Sequence, residues 1–289
     1  MFKNKLLLFF FFLGSLQTFA QNNNLSWSKA VSTGSATLNV QYLKNYPYSY
    51  RNENGDLTGV EIDILREFSD WAMLNKNVKI KLNFVSNKDF YVLYDDIKMR
   101  TEGIVGASAV TINPERISEV SFSSPYLQSK SLLISHGNVP TTIGISDIKT
   151  NYNDKTAIVV IKSVQEKLVK QLQSSFAPDL KIEYVGSPEE VISKIAQDPS
   201  YIGFVEIVSY WGFLEKNKKA YLKIQPYLQK DEYFGFIFPK KSDWNIAFDE
   251  FLESGFGFNL SKKYDDILSR HMSYEVKKQV EYRKIIRAN

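Results

Sequence analysis

The chain has 289 residues, of which 44% are hydrophobic and 24% charged, and carries a net charge of +4. That length suits two domains rather than one small core, and the near balance of charge argues against nucleic acid or an anionic membrane as partner. Two histidines and no cysteine exclude a thiol nucleophile and leave no basis for a His/Cys metal centre or a lipid-modified cysteine.

The first twenty residues read as a secretion signal. Lys3 and Lys5 form a short positive region, Leu6 to Leu13 is an unbroken apolar run, and Thr18-Phe19-Ala20 supplies a small residue before Gln21. The run is too short to span a bilayer comfortably, so cleavage, export to the periplasm and a soluble mature chain of net charge +2 are expected once Lys3 and Lys5 are removed. No later stretch reaches the apolar length of a membrane helix.

Beyond it, Thr37 to Leu43 alternates at period two and predicts a strand. Asn52 to Asp56 is turn-forming, and Ile64, Leu65, Phe68, Trp71 and Ala72 then recur at helical spacing. Ile80, Leu82 and Phe84 alternate again, a helical pattern ends at Ile97, and Gly103 to Val110 reads as a strand and loop of small residues. In Thr111-Ile112-Asn113-Pro114-Glu115-Arg116, proline in the first turn permits a helix start. The exposed N–H groups of such a start attract an anion, and Arg116 adds a planar fork that grips a carboxylate.

The plan repeats further on. Thr156 to Ile161 is a continuous apolar run like a buried parallel strand. Ser163-Val164-Gln165-Glu166 has the pattern of a capping box, followed by the stripe Val164, Leu168 and Leu172. Ile182 to Val185 predicts a strand, and Ser187-Pro188 opens the next helix. Tyr201 to Val205 predicts a strand ending at Glu206, Tyr233 to Phe238 another, and amphipathic helices follow near Trp244–Phe256 and Leu260–His271. Glu275 to Asn289 predicts a basic helical tail with one face packed on the domain. Strands alternating with helices imply an α/β fold with largely parallel sheets, whose ligands bind beyond the carboxyl ends of the strands.

Several segments together resemble one family. Tyr46-Pro47-Tyr48-Ser49-Tyr50 and then Gly59-Val60-Glu61-Ile62-Asp63-Ile64, Thr111 to Arg116, Ser121-Phe122-Ser123-Ser124-Pro125-Tyr126, and Tyr233 to Lys240 with the two closing helices are similar, in order, to the bacterial extracellular solute-binding proteins of the polar amino acid type. The resemblance implies the type II periplasmic-binding-protein fold: two lobes, each a largely parallel sheet flanked by helices, joined by two crossing strands. The expected division is a signal over 1–20, lobe 1 over 21–134 and again over 235–289, and lobe 2 over 135–234, with the hinge near Leu132–Ser135 and Phe234–Phe236.

The resemblance also implies roles. Arg116, with the Thr111 hydroxyl and backbone, would hold a ligand carboxylate, and Glu206 with the Ala109 carbonyl would hold an α-ammonium. A zwitterion needs both, because a buried unpaired charge is costly. Ser163 would offer a helix start to a further anionic group, and aromatic rings among Tyr46, Tyr48 and Phe90 would cover the ligand side chain. Departures from the family pattern bear on lobe 2: Lys162 precedes Ser163 where glycine is usual, and Val164 replaces a second hydroxyl. The implied function is periplasmic capture of an amino acid or similar solute by a monomer that delivers it to an inner-membrane ABC permease, with no cofactor and no catalysis. The alternatives are a secreted dehydratase acting on arogenate or prephenate, with Glu206 as acid, and a sensor that presents its ligand to a membrane receptor.

Overall fold

The computed structural model describes residues 25–161 and 163–280. The signal expected over residues 1–20, residue 162 and the end of the basic tail lie outside the described residues.

A short helix α1 (Trp27–Thr33) leads into β1 (Ser35–Tyr42), whose side chains alternate between the core and the outer face. The small ladder of β2 (Tyr50–Arg51) and β3 (Leu57–Thr58) follows, closed by the predicted turn. Next come α2 (Val60–Lys76), β4 (Lys79–Ser86), α3 (Phe90–Met99) and β5 (Ile104–Thr111). The short α4 (Pro114–Glu119) and β6 (Ser121–Phe122) precede the long strand β7 (Leu127–His136). The next stretch is α5 (Ile145–Tyr152), β8 (Thr156–Val160), α6 (Val164–Ser175), β9 (Lys181–Val185), α7 (Pro188–Gln197), β10 (Tyr201–Glu206) and α8 (Ile207–Lys216). The chain returns through β11 (Leu222–Phe238) and ends in α9 (Trp244–Glu253), α10 (Lys262–His271) and α11 (Tyr274–Gln279).

One sheet runs through both lobes in the order β4-β1-β5-β11-β7-β10-β8-β9, with β6 added to β11. Strands β4, β1 and β5 are parallel on one side, and β10, β8 and β9 are parallel on the other. The antiparallel pair β7 and β11 joins them, paired from Phe234↔Leu127 to Leu222↔His136, with an irregularity between Ile224 and Gln229. Both crossing strands extend well beyond the hinge expected near Leu132–Ser135 and Phe234–Phe236. The carboxyl ends of β5 and β10 therefore face each other across the pair, which is where ligands of open α/β sheets bind.

The helices bury the faces of this sheet. In the first lobe Phe68 of α2 stacks on Phe248 of α9 with ring centroids 3.9 Å apart, against Trp27 and Trp244. Truncating a buried aromatic of this kind costs about 3–5 kcal/mol. His271, on the buried face of α10, meets Asp63 of α2 through Nε2 at 2.8 Å and Tyr50 through Nδ1 at 3.0 Å, so it ties the C-terminal helices to the first lobe. The last described helix, α11, is the start of the expected tail. The helix Tyr274–Gln279 buries Val276 and Val280 and packs on α8 as well as α10, and residues 281–289 lie outside the described residues.

Candidate functional site

Between the two halves of the sheet lies a cavity of about 670 Å³. Arg116, Thr111, Ala109, Glu206, Ser163, Tyr48 and Phe90 all line it. Tyr46 does not. Its ring is turned to the outer surface, 43% exposed, against Tyr50 and under the Lys216 ammonium at 4.9 Å.

The separation of the two tyrosines has a local cause. Gly59 sits at φ +133°, and a Cβ there would meet the Tyr48 carbonyl oxygen at 2.2 Å. Only glycine allows the start of α2 to pass this close. The first N–H groups of α2 then hold this segment, Val60 to the Pro47 carbonyl and Glu61 to the Tyr48 carbonyl, each at 3.0 Å. Tyr48 is thereby fixed with its ring inward, 2% exposed, and its hydroxyl donates to Glu206 at 3.3 Å from the opposite side of the cleft.

Arg116 belongs to the short helix predicted from Pro114. Asn113 Oδ1 accepts its backbone N–H at 2.9 Å, so that donor is already used by the cap and does not await an anion. The guanidinium donates through Nη1 to the Thr111 carbonyl at 3.0 Å and lies over the Phe90 ring at 4.9 Å. Phe90 thus shapes the site by holding the arginine through a cation–π contact. Burial pulls the guanidinium pKa down, while Tyr94 and Glu232 act in the opposite direction. With one nitrogen anchored and the ring behind it, the remainder of the fork is available to the cavity it lines.

Ala109 has φ +46°, a left-handed conformation that costs a non-glycine residue about 1–2 kcal/mol. Its N–H donates to Glu61 Oε1 at 3.0 Å, and Tyr126 donates to the same oxygen at 2.8 Å. Burial pushes the Glu61 carboxyl up to about 7 despite these hydrogen bonds. Glu61 Oε2 is buried without a hydrogen-bond partner among the described residues. The strained corner of the cavity therefore rests on a buried acid beneath it.

Glu206 closes β10 and caps α8, accepting the Ser209 N–H at 3.2 Å through Oε2. Its Oε1 accepts from Tyr48 and from Ser129. Burial pushes the carboxyl up to about 7, opposed by the Ser129 bond and the helix N–H groups and reinforced by Glu232. Burial likewise raises the Tyr48 hydroxyl, so it remains a donor to the acid. Ser163 caps α6 by accepting the Glu166 N–H at 3.1 Å, and its hydroxyl donates to the Val160 carbonyl at 2.7 Å. It therefore lines the cavity with its hydroxyl already engaged.

Glu232 escapes the sequence reading. It lies on β11 opposite Ser129 of β7, and its carboxylate receives Thr111 Oγ1 at 3.1 Å, Ser131 Oγ, and Gln165 Nε2 at 3.2 Å. The Thr111 hydroxyl, expected to serve a ligand carboxylate, is thus engaged with a carboxylate of the protein. The available signal was the alternation Lys230, Glu232, Phe234, which puts Glu232 on the face of an apolar residue, together with Ser129 and Ser131 at the same spacing on β7. Among the described residues no group of three or more His, Cys, Asp or Glu side chains is placed to hold a metal ion. No described helix is long and apolar enough to cross a membrane.

The sequence profile of the bacterial extracellular solute-binding proteins, family 3, matches residues 38–280. The chain belongs to that family. A "probable histidine-binding protein" of Campylobacter jejuni is 27% identical over 266 residues, covering 88% of this chain and 93% of the relative. Among solved structures, a putative binding component of an ABC transporter from Wolinella succinogenes, complexed with lysine, superposes with a TM-score of 0.68 at 18% identity, covering 82% of this chain and 96% of the other. Holo ArgBP from T. maritima gives a TM-score of 0.60 at 20% identity over 84% and 98% of the two chains. An ancestral amino acid-binding protein described as a precursor of cyclohexadienyl dehydratase gives 0.62 at 19% identity over 84% and 98%. The fold of this family member is accordingly that of the type II periplasmic binding proteins, mixed α/β with a largely parallel sheet flanked by helices.

Proposed function

We propose that this protein captures an amino acid in the cleft between its lobes and delivers it to an ABC permease in the inner membrane. The observation that carries this reading is the meeting of Arg116 and Glu206 in one cavity from opposite sides of the crossing strands. A guanidinium fork suits a carboxylate and a buried carboxylate suits an ammonium, so an α-amino acid would bridge the lobes and favour their closure. A relative named for histidine and structural neighbours complexed with lysine and bound to arginine support the ligand class. We assign lobe 1 to 21–134 and 235–289 and lobe 2 to 135–234, a division supported by β7 and β11 as the only long antiparallel strands between the parallel sets of the described residues. Export through a cleaved signal over residues 1–20, a monomeric state, no cysteine-linked lipid and no nucleic-acid partner complete the reading.

A thermal-shift screen with the twenty amino acids tests it. A ligand that binds only the folded state at about 100 times its Kd adds about 2.7 kcal/mol of stability. One or a few amino acids should raise Tm clearly, and a flat response to all of them would contradict the reading.

An enzyme on the same fold is the second reading. It draws on Glu206, a buried acid pushed up to about 7, which suits a general acid. Incubation with arogenate separates the two readings. Stoichiometric binding without turnover fits capture, whereas an aromatic product whose formation is lost in Glu206→Gln would make the cleft catalytic.

A further inference from the structure

The cavity holds more negative charge than an α-amino acid requires. Arg116 and Glu206 suffice for its carboxylate and ammonium, yet Glu232 also faces the cavity and is 3% exposed. Among the described residues, Arg116 supplies one buried positive charge and the two glutamates, when ionised, two negative ones, which leaves one negative charge in excess. Lys44, Lys88 and Asp89 also line the cavity, but all are exposed at its rim, where water and salt screen them. Lys230, two residues back on β11, is exposed as well, and it lowers the Glu232 carboxyl from the solvent side.

Burial raises the Glu232 carboxyl, and its hydrogen-bond partners act against that in favour of the ionised form. Gln165 Nε2 donates to Ser131 Oγ at 2.9 Å as well as to Glu232, so the Ser131 hydroxyl proton is directed to the carboxylate. Thr111 approaches the other oxygen at 3.1 Å. Two hydroxyls and one amide thus converge on a side chain that, when ionised, only accepts. Glu206 is surrounded in the same way by Tyr48, Ser129 and the α8 backbone. Hydrogen bonds of this kind favour the charged form, but they do not neutralise it, and a buried charge without a counter-charge is unfavourable.

We propose that Glu232 sets the charge of the ligand, so that the cleft selects an amino acid with a cationic side chain over neutral and acidic ones. This rests on the amino acid reading above and adds a specificity-determining residue to it. The ligand's second cation balances the excess charge, a neutral amino acid leaves it unbalanced, and an acidic one adds to it.

The test is calorimetric titration of the full-length mature protein and of Glu232→Gln with lysine, arginine, norleucine, glutamine and glutamate. The wild type should bind lysine or arginine at least about 100-fold more tightly than norleucine or glutamine. In Glu232→Gln that ratio should fall at least tenfold, mainly through loss of affinity for the cationic ligand. If all ligands weaken alike in a folded Glu232→Gln protein, Glu232 merely positions Thr111 and Arg116, and the inference is overturned. Should that variant not fold, the wild-type ratio decides: equal or tighter binding of neutral or acidic amino acids overturns the inference and leaves the amino acid reading standing. Failure of every amino acid to bind overturns both.

Discussion

Lowering the pH should weaken ligand binding through one identifiable acid. In the free protein burial pushes Glu206 up to about 7. Its neighbours are the Tyr48 and Ser129 hydroxyls, the start of α8 and the like charge of Glu232. An ammonium seated on Glu206 favours the ionised form, so binding must expel the proton that the free acid carries below about pH 7. At pH 6 about one molecule in ten is ionised, and the observed affinity falls about tenfold, or about 1.4 kcal/mol; at pH 5 the loss approaches a hundredfold. The α-ammonium of the ligand stays charged across this range. Titration calorimetry in buffers of different ionisation enthalpy should register release of about 0.9 proton per ligand bound at pH 6. Glu206→Gln should bind weakly and lose most of this pH dependence. An affinity independent of pH from 5 to 8, with no proton released, would refute the assignment of Glu206 to the ammonium.

Arg116→Lys keeps the charge but loses the planar fork held by Phe90 and the Thr111 carbonyl, so affinity should drop at least tenfold, roughly 1.4 kcal/mol, with the fold intact by circular dichroism. Glu61 bears on stability instead. Its folded pKa of about 7 lies above the ordinary 4.5, so the folded state binds more protons and stability declines as pH rises from about 4.5 to about 7, by up to about 3 kcal/mol. Denaturant unfolding of the ligand-free protein at pH 5 and pH 8 should show a smaller decline in Glu61→Gln than in the wild type, and equal declines would remove Glu61 as the cause. Tyr46→Ala should leave affinity within about threefold, since the ring lies outside the cavity, whereas Tyr48→Phe should weaken binding by removing a donor to Glu206.

Local chemistry made much of this legible. Asn113 and Pro114 specify the start of α4 and so the place of Arg116, and Ser163 and Ser187 cap α6 and α7 where their helical patterns begin. The apolar run ending at Glu206 marks β10 and its terminal acid. What failed depends on tertiary placement. Tyr46 and Tyr48 flank one proline and are chemically equivalent in sequence, and only the close approach of Gly59 to the Tyr48 carbonyl decides which ring turns inward. Glu232 ends the charged run Lys230-Asp231-Glu232, which reads as a solvated strand edge. Its burial follows from the pairing of β11 with β7, a register no local pattern encodes. His271, which carried no evident role in sequence, is buried because α10 folds back onto Asp63 from 208 residues away.

The central claim is that one ligand is held by its carboxylate on Arg116 and by its ammonium on Glu206. Calorimetric titration of the wild type with the best amino acid from the screen, its des-amino acid and its decarboxylated amine tests both ends at once. The account predicts that the amino acid binds and that loss of either group weakens binding at least a hundredfold, about 2.7 kcal/mol. If the des-amino acid or the amine binds as tightly as the amino acid, the ligand is not anchored between Arg116 and Glu206, and the account is contradicted.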